Sequence, residues 1–357
     1  MRATQNSGFE RNPELEILLQ ELNSLLSGAE EQVSASYKEP QFPVIFIVGA
    51  ARSGTTLLLQ WLAQSRFFGY PSNFISRFFK APYIGAKIQR MLYDTKYAFR
   101  NELAVDVPTA ARSFESTLGK TSGYLSPHEF WYFWRRFFPY QEIQKLSDEE
   151  LESIDSQTFL AELAALEAAL DKPLAMKALI INWNISYITK ILPQAFFLYL
   201  RRDVCQNAAS LMRSRLAYFG DRDQWYSFKP PEYEDLRHLD AVQQVVGQVV
   251  YTNRAVQEGL AGVEATHKLE IAYEELCKNP DDVWRRLTDK MKNLGLEMPG
   301  IYPFPVSFNC ADKRANDDQE PYQRAFQNLL SPPGSGDDFI GEGRTVFTNH
   351  AVPVTEL

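Results

Sequence analysis

With 357 residues, 45% of them hydrophobic and 23% charged, the chain has the length of one large α/β domain or two smaller ones and the composition of a globular protein, which excludes collagen-like, disordered and small disulfide-rich classes. Its 45 acidic residues outnumber the 37 basic ones for a net charge of -8, which argues against a general role on nucleic acid or anionic membrane but leaves room for a local basic site. Three widely spaced cysteines, Cys205, Cys277 and Cys310, fit neither a disulfide framework nor a zinc site, so a reducing cytoplasm is the expected location. No apolar window of about 18 residues and no leader pattern occurs, so no membrane span is expected, and no repeat of fixed period is present.

Asn12 can cap a helix opened by Pro13, with Leu15, Leu18, Leu19, Leu22, Leu25 and Leu26 at spacings of three and four. Residues 27–40, rich in Ser, Ala and Glu and closed by Pro40, read as a connector, so 1–40 is an N-terminal helix with linker and the main domain starts at Gln41. PVIFIV, residues 43–48, is a continuous apolar run that reads as a strand covered on both faces, and after the loop GAARSGTT comes a buried helix. Residues 65–170 form a long, mostly helical insertion that includes 129–138 and 158–170 and is expected to cap the active edge. Further strands are expected within 172–180, 195–200 and 267–276; a helix follows the second to about Tyr218, and Asn279 caps a helix opened by Pro280. Alternating strands and helices indicate α/β architecture, a parallel sheet flanked by helices. The main domain runs to residue 310, and the Pro, Gly and Asp-rich tail 311–357 reads as loop.

GAARSGTT, residues 49–56, lies between a strand and a helix, where backbone N–H groups and the positive helix end can surround a phosphate or sulfate. The spacing matches a Walker A loop except that Thr55 stands where the lysine belongs, and the cation is Arg52, inside the loop. Without that lysine the case for ATP or GTP chemistry weakens. In a second block, YLRRDVCQNAASL at 199–211, a strand delivers Arg202 to the sheet edge as a phosphate clamp, Asp203 can cap the next helix, and the Ser210 hydroxyl can donate to the same phosphate.

These two blocks resemble those of sulfotransferases that use 3′-phosphoadenosine 5′-phosphosulfate. FIVGAARSGTTLL is similar to the loop that binds the 5′-phosphosulfate, with Arg52, Ser53, Gly54, Thr55 and Thr56 matching and Ala51 replacing the usual proline. Residues 199–211 are similar to the 3′-phosphate segment, with Arg202 and Ser210 matching and Val204 at a frequent proline position. KPLAMKALIINWN is like the family's lysine-bearing strand, and the segment from His267 to Leu296 is like its E-x-L, N/D-P, helix, G-L region, so the resemblance spans about 43–297. It implies a P-loop NTPase-like three-layer sandwich, a 3′-phosphoadenosine 5′-phosphosulfate donor and a small-molecule or glycan acceptor hydroxyl, carbohydrate or lipid-linked, with no nucleic-acid partner. No metal is expected, because a sulfate carries less charge than a γ-phosphate.

Sulfuryl transfer proceeds in line through a loose transition state and needs cations and a base. Lys177, on the lysine-bearing strand, is the candidate for stabilising charge at the transferred group. Many relatives carry histidine two residues after that lysine; here Leu179 stands there, so the base must come from elsewhere. The candidates are Glu129, preferred, and His128: Pro127 can start a helix that leaves both in its first turn, beside an aromatic wall of Phe130, Trp131, Phe133 and Trp134 that would raise a carboxylate's pKa. His238, His267 and His350 are isolated packing or surface residues. Arg314, in a region where relatives close a loop over the nucleotide, is a candidate 3′-phosphate contact. Two rival readings remain open at this level: a P-loop kinase or hydrolase with Asp203 on magnesium, and a catalytically silent nucleotide-binding protein.

Overall fold

The computed structural model describes residues 12–100, 116–304, 308 and 319–330. The apolar run before the glycine loop becomes strand β1 (Val44–Val48), fully buried along its length. It lies inside a four-stranded sheet with β2 (Ala175–Lys177), β3 (Ala195–Arg201) and β4 (Lys268–Ala272), in the order β2, β1, β3, β4 and parallel throughout. Ile47 pairs with Lys177 on one side and with Leu198 on the other. The loops leaving β1 and β3 therefore emerge side by side at the carboxyl edge, the place where open parallel sheets bind ligands.

The main helices are α1 (Pro13–Ser34), α2 (Thr55–Gln64), α3 (Pro82–Tyr93), α4 (Trp131–Phe137), α5 (Ser156–Leu170), α6 (Val204–Phe219), α7 (Ala241–Ala261) and α8 (Pro280–Asn293). Strand side chains alternate between the sheet's two faces, and so feed two cores. Ile45, Ile47, Leu198 and Ile271 pack with Leu58 and Trp61 of α2 and Trp284 and Leu287 of α8. Val44, Phe46, Val48 and Phe197 pack on the other face with Phe133 and Trp134 of α4, Phe159 and Leu163 of α5 and Val256 of α7. Truncating Trp134, which lies 5.9 Å from Phe46 ring to ring, would cost about 3–5 kcal/mol.

The tail read as loop holds a helix, Glu320–Leu330, whose buried Ala325 packs with Leu211 of α6 and Val245 of α7. Three boundaries also differ from the sequence reading, each for a local reason. Helix α1 does not end near Leu26 but runs to Ser34, with buried Asn23 and Glu30 on its inner face. The Glu30 carboxylate accepts from the N–H groups of Tyr83 and Ile84 at 2.8 and 3.1 Å, capping α3, and burial still pushes its pKa up to about 7. The acids that made this stretch read as a linker thus include a partner for another helix. The strand expected within 172–180 holds only three residues and gives way to a 3-10 turn at Leu179–Ile181. Residues 267–276 divide into β4 and a short helix, Tyr273–Lys278, which puts Tyr273 at the carboxyl edge.

The insertion contributes α3, α4, α5 and a two-strand hairpin, Ser116–Thr117 with Lys120–Thr121. Among the described residues no helix is long and apolar enough to cross a membrane.

Candidate active site

The glycine loop is held from both sides before any ligand enters. Gly49 has φ 140°, and a Cβ there would stand 2.4 Å from the Leu200 carbonyl oxygen, so only glycine lets the loop leave β1 against β3. The Asn182 side chain accepts from the Gly49 N–H at 3.2 Å and donates to its carbonyl at 2.9 Å, and Asn207 of α6 donates to the Ala51 carbonyl at 2.7 Å. Helix α2 starts after Gly54 (φ 104°) with no side-chain cap. Its first N–H groups are left for an anion, which the positive helix end also favours.

Arg52 sits in the left-handed region at φ 70°, and its guanidinium is buried enough to pull its pKa down, with Arg202 adding repulsion. Its Nε is buried with no hydrogen-bond partner among the described residues. A buried cation in that condition is stabilised by an incoming anion. Ser53 is fully buried beneath the loop, where its N–H donates to the Ala50 carbonyl at 3.2 Å. Gly54, Thr55 and Thr56 line the cavity together with Arg52, whereas Ser53 does not.

At the next edge turn, Arg202 is 7% exposed and lies over the Tyr273 ring at 4.6 Å. A Cβ on Gly54 would come within 2.5 Å of the same ring, so Tyr273 fills the space between the glycine loop and Arg202. Asp203 caps α6, its carboxylate accepting from the Gln206 N–H at 2.9 Å. It is not part of the cavity lining, which weakens the magnesium reading of this residue. Ser210, two turns into α6, does reach the cavity.

Lys177, at the end of β2, is 8% exposed and donates to the Thr56 hydroxyl at 3.0 Å and to the Glu129 carboxylate at 2.5 Å. The sequence reading expected Glu129 in a helix's first turn with a raised pKa. Instead α4 begins only at Trp131, after Phe130 in the left-handed region (φ 56°), and helical periodicity carries Phe130, Phe133 and Trp134 into the core. Of that aromatic wall, Trp131 is the residue that lines the cavity. Burial alone would raise the Glu129 pKa, but Lys177 and then Lys120 outweigh it, and the net shift is downward. Lys177 is shifted down by burial, with Glu129 opposing.

His128 also precedes the helix. Its Nδ1 accepts from the Phe130 N–H at 2.9 Å, and burial lowers its pKa to about 4. A neutral imidazole whose lone pair is already used is poorly placed as the base, so the geometry favours the carboxylate.

Two cavities adjoin here. One, of about 550 Å³, takes in Arg52, Thr55, Thr56, Lys177, Arg202 and Ser210. The other, of about 520 Å³, is walled by Asn73, Phe74, Arg77, Tyr124 and His128. Gly119, Lys120, Glu129 and Trp131 line both. Lys120, Tyr226 and Tyr273 were missed in the sequence: Lys120 rides on a hairpin with no motif, and Tyr226 sits in the connection after α6. Tyr273 had a usable signal, since it directly follows a strand as the glycine loop follows β1. Arg314 lies outside the described residues.

The model of the family described as "Sulfotransferase family" matches residues 43–299. The omega-hydroxy-beta-dihydromenaquinone-9 sulfotransferases of Mycobacterium bovis and Mycobacterium tuberculosis are 26% identical over 266 residues, which is 71% of this chain and 63% of theirs. The chain thus spans less than two thirds of the length of these relatives. Among solved structures, sulfotransferase STF1 of Mycobacterium tuberculosis aligns at TM-score 0.49 with 12% identity, over 85% of this chain and 82% of that one. Sulfotransferase STF9 of Mycobacterium avium aligns at 0.45 with 15% identity, over 86% and 80%. The matched segment begins just before β1 and ends beyond α8, and on that ground the chain belongs to the sulfotransferase family.

Proposed function

We propose that the chain transfers a sulfuryl group from 3′-phosphoadenosine 5′-phosphosulfate to an acceptor hydroxyl, with the donor in the cavity at the sheet edge and the acceptor in the cavity beyond Glu129. The observation that carries this reading is that both edge turns, through Arg52 and Arg202, open into one cavity whose Glu129 and Lys120 also line the second. The donor supplies an activated sulfuryl group on a phosphate leaving group. Arg52, the first N–H groups of α2 and the Thr55 and Thr56 hydroxyls are the residues to hold its 5′ end, and Arg202 with Ser210 its 3′-phosphate.

Glu129 takes the proton from the acceptor hydroxyl. Alone with Lys177 it is a weak base, because that ammonium holds its pKa down. With an anion beside Thr56, Lys177 gains a second partner, the hold on Glu129 loosens, and burial raises its basicity. Lys177 and Lys120 are then placed to stabilise negative charge on the transferred group.

Phe74, Tyr124 and Trp131 line the acceptor cavity, and Tyr93 stacks on Tyr124 at 5.1 Å. These walls suit an acceptor with a flat or aliphatic body, and the name of the mycobacterial relatives gives a hydroxylated dihydromenaquinone as theirs. Calorimetric titration with adenosine 3′,5′-bisphosphate against ATP tests the donor assignment. Tight binding of the bisphosphate with weak binding of ATP is the expected result; the reverse order would favour a kinase.

A further inference from the structure

Arg77 stands in the acceptor cavity with no assigned task. It is exposed and lines that cavity, and among the described residues it takes part in no ion pair. Its backbone, by contrast, is firmly placed. The Arg77 N–H donates to the Phe74 carbonyl at 3.1 Å, and its own carbonyl accepts from buried Asn23 of α1 at 2.7 Å. The neighbouring wall is fixed by Asn73, whose side chain donates to the carbonyls of Thr121 and Gly123 at 3.2 and 2.8 Å.

The charge around this cavity is lopsided in a chain of net charge -8. Among the described residues lining it, Glu129 is the acid, and it is already paired with Lys177. Arg77 and Lys120 are the cations, and Lys120 belongs to the junction with the donor cavity. Arg77 does not line the donor cavity, which has Arg52, Arg202 and Lys177 of its own. Arg77 shares this wall with aromatic Phe74, Tyr124 and Trp131 and polar Asn73 and Thr121, outside the donor cavity, a place suited to reading a feature of the acceptor other than the reacting hydroxyl.

We propose that Arg77 anchors an acidic group on the acceptor, so that the substrate is an amphiphile with an aromatic or aliphatic body, a hydroxyl presented to Glu129 and a carboxylate or phosphate held by the guanidinium. A carboxylate or phosphate matches the planar fork of arginine in two hydrogen bonds. The inference rests on the assignment of this cavity to the acceptor. Arg77 is a specificity residue and takes no part in proton transfer.

The test uses the whole chain loaded with adenosine 3′,5′-bisphosphate and a matched probe pair, 4-(4-hydroxyphenyl)butanoate and its methyl ester. The wild type should bind the acid about tenfold more tightly than the ester. In Arg77→Gln that preference should vanish while binding of the ester and of the bisphosphate is unchanged, and Arg77→Lys should restore part of it. Equal binding of acid and ester by the wild type, no binding of either, or a preference that persists in Arg77→Gln would overturn the proposal. Acid preference without bisphosphate binding would support the Arg77 assignment and overturn the donor assignment instead, so the two fail separately.

Discussion

The cavity at the sheet edge, proposed for the donor, and the adjoining cavity, proposed for the acceptor, are built by different means. On the donor side each strand hands one residue to the edge: Arg52 after β1, Lys177 at the end of β2, Arg202 after β3 and Tyr273 after β4. The acceptor side has little regular structure. Its segments at 71–78 and 116–131 are joined by side-chain bonds to distant backbone, such as Asn73 to Gly123, Asn23 to Arg77, and the Tyr70 hydroxyl to the Leu125 carbonyl at 3.0 Å. A sheet edge fixes positions through neighbouring residues in the chain, whereas this wall depends on partners about fifty residues apart. The first is held by the sheet itself, and the second by side-chain bonds that a change in the acceptor wall can alter without touching the sheet.

The sharpest way to break the comparison is at the junction. Glu129→Gln removes the proposed base, which lines both cavities, so kcat should fall by about 100- to 10,000-fold while bisphosphate affinity holds; normal turnover would strip Glu129 of that role. Arg52→Ala acts on the donor side alone. Losing charge-assisted bonds of about 1.5–3 kcal/mol should weaken bisphosphate binding by about 10- to 100-fold, read by calorimetry, with affinity for acceptor probes unaltered.

Gly54→Ala probes how tightly the platform is built. A side chain at φ 104° whose Cβ meets the Tyr273 ring should cost about 1–3 kcal/mol, measured as a lower Tm, and should also weaken bisphosphate binding by shifting the ring under Arg202. The smallest effect belongs to His128. Its folded pKa of about 4 lies below the ordinary 6.5, so between those values the unfolded chain binds the extra proton and stability falls as pH drops. In His128→Asn, whose amide oxygen can still accept from the Phe130 N–H, the loss of Tm between pH 6.5 and 4 should be smaller. An unchanged pH dependence would mean that His128 is not buried neutral.

The same contrast explains what could be read in the chain and what could not. The position of both edge turns was legible because their signals are local: a buried apolar run, glycines at the turn, an arginine at the strand end and Asp203 capping the next helix. Glu129 was identifiable as a residue but not in its setting. Phe130, Phe133 and Trp134 near it in sequence turn into the core, while Lys177, far away in sequence, is its actual neighbour. Lys120, Tyr226 and Arg77 carry no motif at all. They gain meaning only from the cavities that the folded chain encloses, as Glu30 gains its partner only when α3 arrives.

The account stands on two neighbouring edge turns reading opposite ends of one nucleotide. Its most direct test is calorimetric comparison of adenosine 3′,5′-bisphosphate with adenosine 5′-monophosphate on the wild type and on Arg202→Ala. The wild type should prefer the bisphosphate by at least tenfold, and the variant should bind the two alike. Equal binding by the wild type, or a preference that survives the loss of Arg202, would contradict it.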